Sequence, residues 1–362
     1  MTGVAGRGEA PTPSPEARSA EVARRIELVE GAIANMGREA VLLSTRRDVS
    51  WLTLGASLHV VAGAESAAVP IVVHGGGAAA ITPNNEADRI SDEELAGLPI
   101  EVTTVPWYDP SAIDREAQRL AGTRRYAGLA SAEEFEAWLQ PVRSTLGTIE
   151  AERLAWLGRR VTAAMDAAVA GVTPGSTEDD AAAELVGALA REGIRAPVLL
   201  AAADERITRY RHPLPGPTAV RSRLMLIVVG ERWGLHVALT RFRELEPVPE
   251  QLRGRIDATE VVLDAMVQAT VPGASFGDVF ARAQAAYADA GFPDEWQLHH
   301  QGGSIGYAPR EHIAVPDDRT EIRAGMAFAW NPSITGAKVE STVVITADGS
   351  PVDVTAAASS GS

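Results

Sequence analysis

One pattern occurs twice in the chain at a fixed distance. "MDAAVAGVTPGSTEDDAAAELVGALAREGI" begins at Met165, and "LDAMVQATVPGASFGDVFARAQAAYADAGF" begins at Leu263. Asp166 corresponds to Asp264, Pro174 to Pro272, Gly175 to Gly273 and Gly193 to Gly291, each pair 98 apart (264 − 166). Alanine-rich composition explains matching alanines. It does not explain a Pro-Gly pair and a terminal glycine at one offset, so the second half of the chain is read as a duplication.

Each copy encodes a helix, a Pro-Gly turn, a capped second helix and a glycine stop. Ser176-Thr177 followed by Glu178 to Asp180 supplies a cap and acids for the helix dipole. Gly193 and Gly291 stand where a C′ glycine ends a helix. Strand candidates follow: "PVLLAAA" in the first copy and "WQLHHQGG" in the second. Then come the pairs "LMLIVVGERWGLHVALTRF" and "MAFAWNPSITGAKVESTVVITADG". Two α-α-β-β units pack as two sheets in one layer with helix pairs outside, and a site falls where their loops meet.

Ahead of the duplication, Val22, Ile26, Val29 and Ile33 recur at helical spacing. "AVLLST", "VSWLTL", "VVAG" and "AAVPIVVHGGGAAAIT" read as strands, and "ISDEELAGL" and "SAIDREAQRL" as helices. The fold class is therefore α/β (α+β): an N-terminal α/β domain, 21–147, and the duplicated domain, 148–356. Residues 1–20 and 357–362 read as disordered tails from their Pro, Gly, Ser and Ala content.

The 362 residues carry 48 acidic and 33 basic side chains, a net charge of -15, which argues against a nucleic-acid partner. No cysteine is present, so disulfides, thiolate metal sites and cysteine nucleophiles are excluded. No apolar run reaches the ~18 residues that span a bilayer, and the N-terminus lacks the pattern of a leader. A cytoplasmic protein acting on a small-molecule substrate, with no membrane partner, is expected.

The order of these segments resembles the pita-bread family of creatinase, aminopeptidase P, prolidase and methionine aminopeptidase. "GLHVALTRF" resembles the strand that ends in "TR", and "GGSIGY" the "GHGIG" turn. "RAGMAFAWNPSI" is similar to the "PGM..EP" strand and "VESTVVIT" to the closing strand. The resemblance covers 21–355, and its N-domain points to the creatinase and aminopeptidase P branch. It implies a duplicated pita-bread domain and a homodimer.

The peptidases of that family hold two metal ions with two Asp, one His and two Glu. Carried over singly, those positions fall on Ile227 (or Val228 with a one-residue slip), Ala238, Gly303, Asn331 and Glu340. One carboxylate does not balance two dications. The expectation is no cofactor, no metal and no ordinary dimetal peptidase.

Creatinase keeps the fold without metal, and its catalytic histidine precedes the first strand pair. "YRHPLPG" places His212 there, and imidazole suits proton transfer at neutral pH. By the resemblance, His212 and Glu340 are the catalytic candidates. "PRE" resembles creatinase's "GRE", which makes Arg310 the anchor of a substrate carboxylate with Glu311 beside it. Because 212 plus 98 is 310, His212 and Arg310 should occupy matching loops.

Thr240, Asn331 and Gln301 are expected to offer neutral hydrogen bonds, and Tyr307 and Trp330 to form walls. His299 and His300 complete the substrate-binding candidates. Read as neighbours on a strand, they point to opposite faces, so at most one should face the cleft, and the sequence does not say which. The activity implied is metal-independent hydrolysis or lysis of an amide, urea or amidine-like C–N bond in a carboxylate-bearing molecule. The alternatives are a binding protein without catalysis and a rewired metallopeptidase.

Overall fold

The same capping box opens the second helix of both repeats. Thr177 Oγ1 accepts from the Asp180 N–H at 3.1 Å, and Asp180 accepts from the Thr177 N–H at 2.8 Å. Ser275 and Asp278 repeat both bonds at the same lengths. Each box satisfies two orphan donors of a first helical turn. The preceding Gly175 and Gly273 sit at φ 92° and 88°, a region glycine enters without steric cost.

A computed structural model describes residues 9–122 and 132–356. The expected terminal tail 357–362 and the first eight residues lie outside the described part. The chain divides into two compact units, Thr12–Arg143 and the stretch from Ser144 onward. The division falls four residues before the expected boundary (147 − 143).

Thr12–Arg143 contains α1 (Pro15–Asn35), β1 (Ala40–Thr45), α2 (Arg46–Leu52), β2 (Ser66–His74), β3 (Gly77–Pro83), α3 (Ala87–Arg89), β4 (Glu101–Val105), α4 (Ala112–Leu120) and α5 (Ala132–Arg143). Its sheet runs β1-β2-β3-β4, antiparallel except for the β3–β4 pair. Three expectations change here, the first being "VVAG", which is a bend and turn between α2 and β2 and not a strand. α1 begins inside the expected tail, because Ser14 caps it and Pro15 fits the first turn. "VSWLTL" is largely helical, not a strand, since Thr45 caps α2 through the Asp48 N–H.

The second unit holds α6 (Thr148–Ala170), α7 (Glu178–Arg191), β5 (Arg195–Ala203), α8 (Glu205–Arg209), β6 (Arg223–Arg232) and β7 (Leu235–Glu244). It continues through α9 (Glu250–Ala269), α10 (Phe276–Asp289), β8 (Gly302–Ile305), β9 (His312–Ile313) and β10 (Ala327–Trp330). It closes with β11 (Ser333–Ile334), β12 (Ala337–Lys338), β13 (Ser341–Ile345) and β14 (Pro351–Asp353). The sheets are β5-β6-β7 and β14-β13-β10-β8-β9, with β11-β12 a separate hairpin.

The two larger sheets are joined by side chain and backbone. Thr342 Oγ1 accepts from the Ala238 N–H and donates to the Ala238 carbonyl, both at 2.9 Å, and His236 N–H donates to the Gly306 carbonyl at 2.9 Å. Phe276, Phe328 and Trp330 fill the core of the second repeat. Full burial of side chains this size stabilises by about 1.5–3 kcal/mol each.

The offset of 98 does not survive past the helices. The Gly175 N–H donates to Val220 and the Gly273 N–H to Ile322, which are 102 apart (322 − 220). His212 and Arg310 therefore occupy the same stretch of each repeat without being positional equivalents. The expected strand "WQLHHQGG" is instead a 3₁₀ turn, Glu295–Leu298, followed by extended residues, and β8 starts only at Gly302.

Candidate active site

Asp204 fixes the segment that carries His212. It accepts from the backbone N–H groups of Arg221, Ser222 and Arg223 at 2.9–3.1 Å and from Ser222 Oγ at 2.8 Å. Burial alone would raise its carboxyl. Those donors instead hold it down to about 2. At the far end of the segment, the Arg211 guanidinium donates to Glu295 at 3.1 Å and to Thr335 at 3.0 Å. Pro213 follows His212 and restricts its backbone to extended conformations.

His212 meets both histidines of the second repeat. His299 Nε2 lies 3.1 Å from His212 Nε2. The His299 and His300 rings stack at 4.3 Å, and the His212 and His300 rings lie 6.0 Å apart. Both rings thus meet His212, against the expectation that they point to opposite faces, because the pair stands between the 3₁₀ turn and β8 and lies in no paired strand.

Burial is the largest cause that lowers all three imidazoles. It takes His299 down to about 2, with the Lys338 charge next, and His300 to about 4, with Arg310 next. His212 is lowered by burial and then Lys338, against the pull of Glu340. The Nδ1 atoms of His299 and His300 are buried without a hydrogen-bond partner.

Glu340 is buried and takes a hydrogen bond from Thr240 Oγ1 at 2.9 Å and one from Arg310 Nη2 at 3.0 Å. Lys338 Nζ stands 3.8 Å away. Burial pushes the Glu340 carboxyl up, and Lys338, Arg310 and Thr240 bring it below its ordinary range. Burial lowers the Lys338 ammonium, against Glu340. Lys338 was not among the expected residues. Its signal was its place two residues before Glu340, since alternate residues of an extended strand share a face. A cavity of about 400 Å³ is lined by Thr240, Lys338 and Glu340, with Arg241, Glu244 and Glu260 among its other walls.

Three expected residues serve elsewhere. Gln301 is fully buried; its amide oxygen accepts from Tyr287 at 2.8 Å and its NH₂ donates to the Trp296 and His299 carbonyls, so it positions His299 from behind. Tyr307 is buried and donates to Glu150 at 2.8 Å. Trp330 is core, its indole bound to Thr270 at 3.0 Å. Asn331 donates its N–H to the Gln301 carbonyl at 3.0 Å, and its side-chain oxygen is buried without a partner. Glu311 is buried and donates its N–H to the Ser304 carbonyl at 2.9 Å.

A model of metallopeptidase family M24 matches residues 152–347. The chain belongs to this family. No curated protein sequence matches it significantly. Solved structures of the same fold include dipeptidase PepE from Mycobacterium ulcerans, 20% identical at TM-score 0.76, covering 94% of this chain and 97% of that one. The prolidase from Pyrococcus horikoshii OT3 is 14% identical at TM-score 0.74, covering 92% and 99%. The N-terminal domain of FACT complex subunit SPT16 from chickpea is 12% identical at TM-score 0.67, covering 94% and 97%.

Membership in M24 raises the question of a dinuclear metal centre, and the donor set does not fit one. Thr240 pairs with Ile227 and Ala238 with Val229, so Ile227 and Ala238 lie on the sheet face that carries Thr240, and neither can ligate. At Gly303 a Cβ would stand 1.9 Å from the His312 carbonyl oxygen, so this backbone admits no side chain there. Lys338 and Arg310 already neutralise the remaining carboxylate, Glu340. Membership in a metallopeptidase family indicates a hydrolytic enzyme. No helix among the described residues is long and apolar enough to cross a membrane.

Proposed function

We propose that this M24 chain cleaves a C–N bond of amide, urea or amidine type in a small molecule that carries a carboxylate, without the family's dinuclear centre. One observation carries the reading. Where the dimetal ligands are missing, an exposed His212 and a half-buried Arg310 join the buried His299, Glu340 and Lys338 in one interacting polar cluster.

His212 takes a proton from water as the oxygen attacks the carbon, then gives it to the departing nitrogen as the C–N bond breaks. His299, held neutral, exchanges a hydrogen bond with it and fixes its ring. Two cations face one carboxylate, so the cluster favours an anionic substrate group near Arg310 and Lys338. Glu340 orients water or substrate between Thr240 and Arg310. We expect it to act as a cytoplasmic homodimer, which light scattering on the purified protein tests for assembly.

The test is turnover of a panel of N-acyl amino acids, ureido acids and dipeptides, including Xaa-Pro, by chelator-treated protein. His212→Ala should lower kcat by about 10²–10⁴-fold with an unchanged melting temperature. Full activity in that variant sinks the assignment. The likeness to the SPT16 domain favours a second reading, a binding module without turnover. A panel that gives no turnover and shifts no melting temperature, with stable capture of a protein partner, decides for it.

A further inference from the structure

We propose that His212, His299 and His300 bind one divalent transition-metal ion, and that its occupancy arrests proton transfer by His212. The inference rests on the acid–base reading above and uses none of the five ligand positions of the family's dinuclear centre. Each histidine offers one ring nitrogen, and the three nitrogens lie within 4.8 Å of one another. A tetrahedral ion with Zn–N bonds of about 2.0–2.1 Å holds its ligand atoms about 3.3 Å apart. The His212–His299 pair stands at 3.1 Å already, and small ring rotations bring His300 in.

Two further features point to a ligand. The Nδ1 atoms of His299 and His300 are buried and unpartnered, so these rings are not locked in place by hydrogen bonds on that side. The backbone behind the donors is nevertheless held. Asp204 and Arg211 fix the segment bearing His212, and Gln301 grips the His299 carbonyl. Donors on a fixed backbone lose little freedom on binding an ion.

The donor set selects the kind of ion. Three neutral nitrogens and no thiolate suit Zn²⁺, Co²⁺, Ni²⁺ or Cu²⁺ and disfavour Mg²⁺ and Ca²⁺. The charges around the site set how firmly it is held. Lys338, Arg310 and Glu340 all act on His212 or His300, two cations against one anion. That balance weakens binding of a dication and makes the ion exchangeable. An ion takes the His212 nitrogen that meets His299, and its charge disfavours a proton on the other ring nitrogen, so occupancy suppresses proton transfer.

The experiment uses the full chain, stripped with chelator and titrated with Co²⁺ and Zn²⁺. Binding is read from the visible Co²⁺ spectrum and from elemental analysis after dialysis. Wild type should bind one ion per chain, and His299→Ala and His300→Ala should weaken it at least ~10-fold. His312→Ala, which removes a histidine bonded to Asp318 outside the cluster, should bind as wild type does. Absence of binding to wild type, or undiminished binding in both cluster variants, overturns the site. Turnover should fall with occupancy and return with chelator. Full turnover at full occupancy overturns the inhibition. Turnover only in the loaded protein overturns both the inhibition and the metal-independent reading, while the site stands.

Discussion

Each unit of the chain buries a cluster of opposite charges, and the two are built differently. In Thr12–Arg143, the fully buried Arg143 donates to Asp48 at 2.7 Å and to Glu136 at 2.8 and 3.0 Å, and Arg47 also reaches Glu136 at 2.9 Å. In the duplicated unit, Glu340 faces two cations, one of them 3.8 Å away. Arg310 Nε, the Asn331 side-chain oxygen and two histidine Nδ1 atoms nearby have no partner. A saturated cluster holds a fold. An unsaturated one keeps donors and acceptors ready for something that is not protein, at a cost of about 1–3 kcal/mol per unmade bond.

That contrast can be broken by mutation. Arg143→Met leaves two carboxylates without their buried partner, and should cost about 3–5 kcal/mol in urea unfolding. A loss below about 1 kcal/mol would mean that saturation is no sign of a structural role.

Asp204, inside the duplicated unit, is a second carboxylate whose oxygens are matched by donors, three backbone N–H groups and the Ser222 hydroxyl. Its folded pKa, about 2, lies below the unfolded value of about 3.9. Its stabilisation is therefore complete above about pH 4 and disappears as pH falls through about 2. Asp204→Asn should be less stable than wild type by about 2 kcal/mol at pH 7, and the gap should close toward pH 2. A gap that is independent of pH would assign the loss to packing.

The smallest stability effect belongs to the unsaturated cluster. Lys338→Met removes a buried ammonium that gains little from Glu340 at 3.8 Å. Unfolding free energy should change by less than about 1 kcal/mol, or rise, while turnover falls by about 10²-fold. A loss of stability matching that of Arg143→Met would erase the distinction between the two clusters.

Much of the fold was legible in local signals. The capping boxes, the glycines with positive φ and the alternation of strands each act over a few residues, and the duplication showed each of them twice. The site was legible where chemistry sits on a motif: His212, Arg310, Glu340 and Thr240 come together as expected. The rest depended on longer-range packing. The four-residue 3₁₀ turn Glu295–Leu298 leads into His299 and His300 where a strand was expected, and no pattern in "EWQLHH" announces that turn. Tyr307 and Gln301 read as site residues because their polar atoms were counted without their partners, Glu150 and Tyr287, which lie 157 and 14 residues away.

Gly303 bears on what it would take to rebuild the family's metal set in this chain. The His312 carbonyl oxygen stands 1.9 Å from where its Cβ would be. A single codon change to histidine would thus meet a steric barrier before any ion could reward it. A ligand at this position requires the β8–β9 hairpin to open as well, so restoring the family's metal set is not a matter of side chains alone.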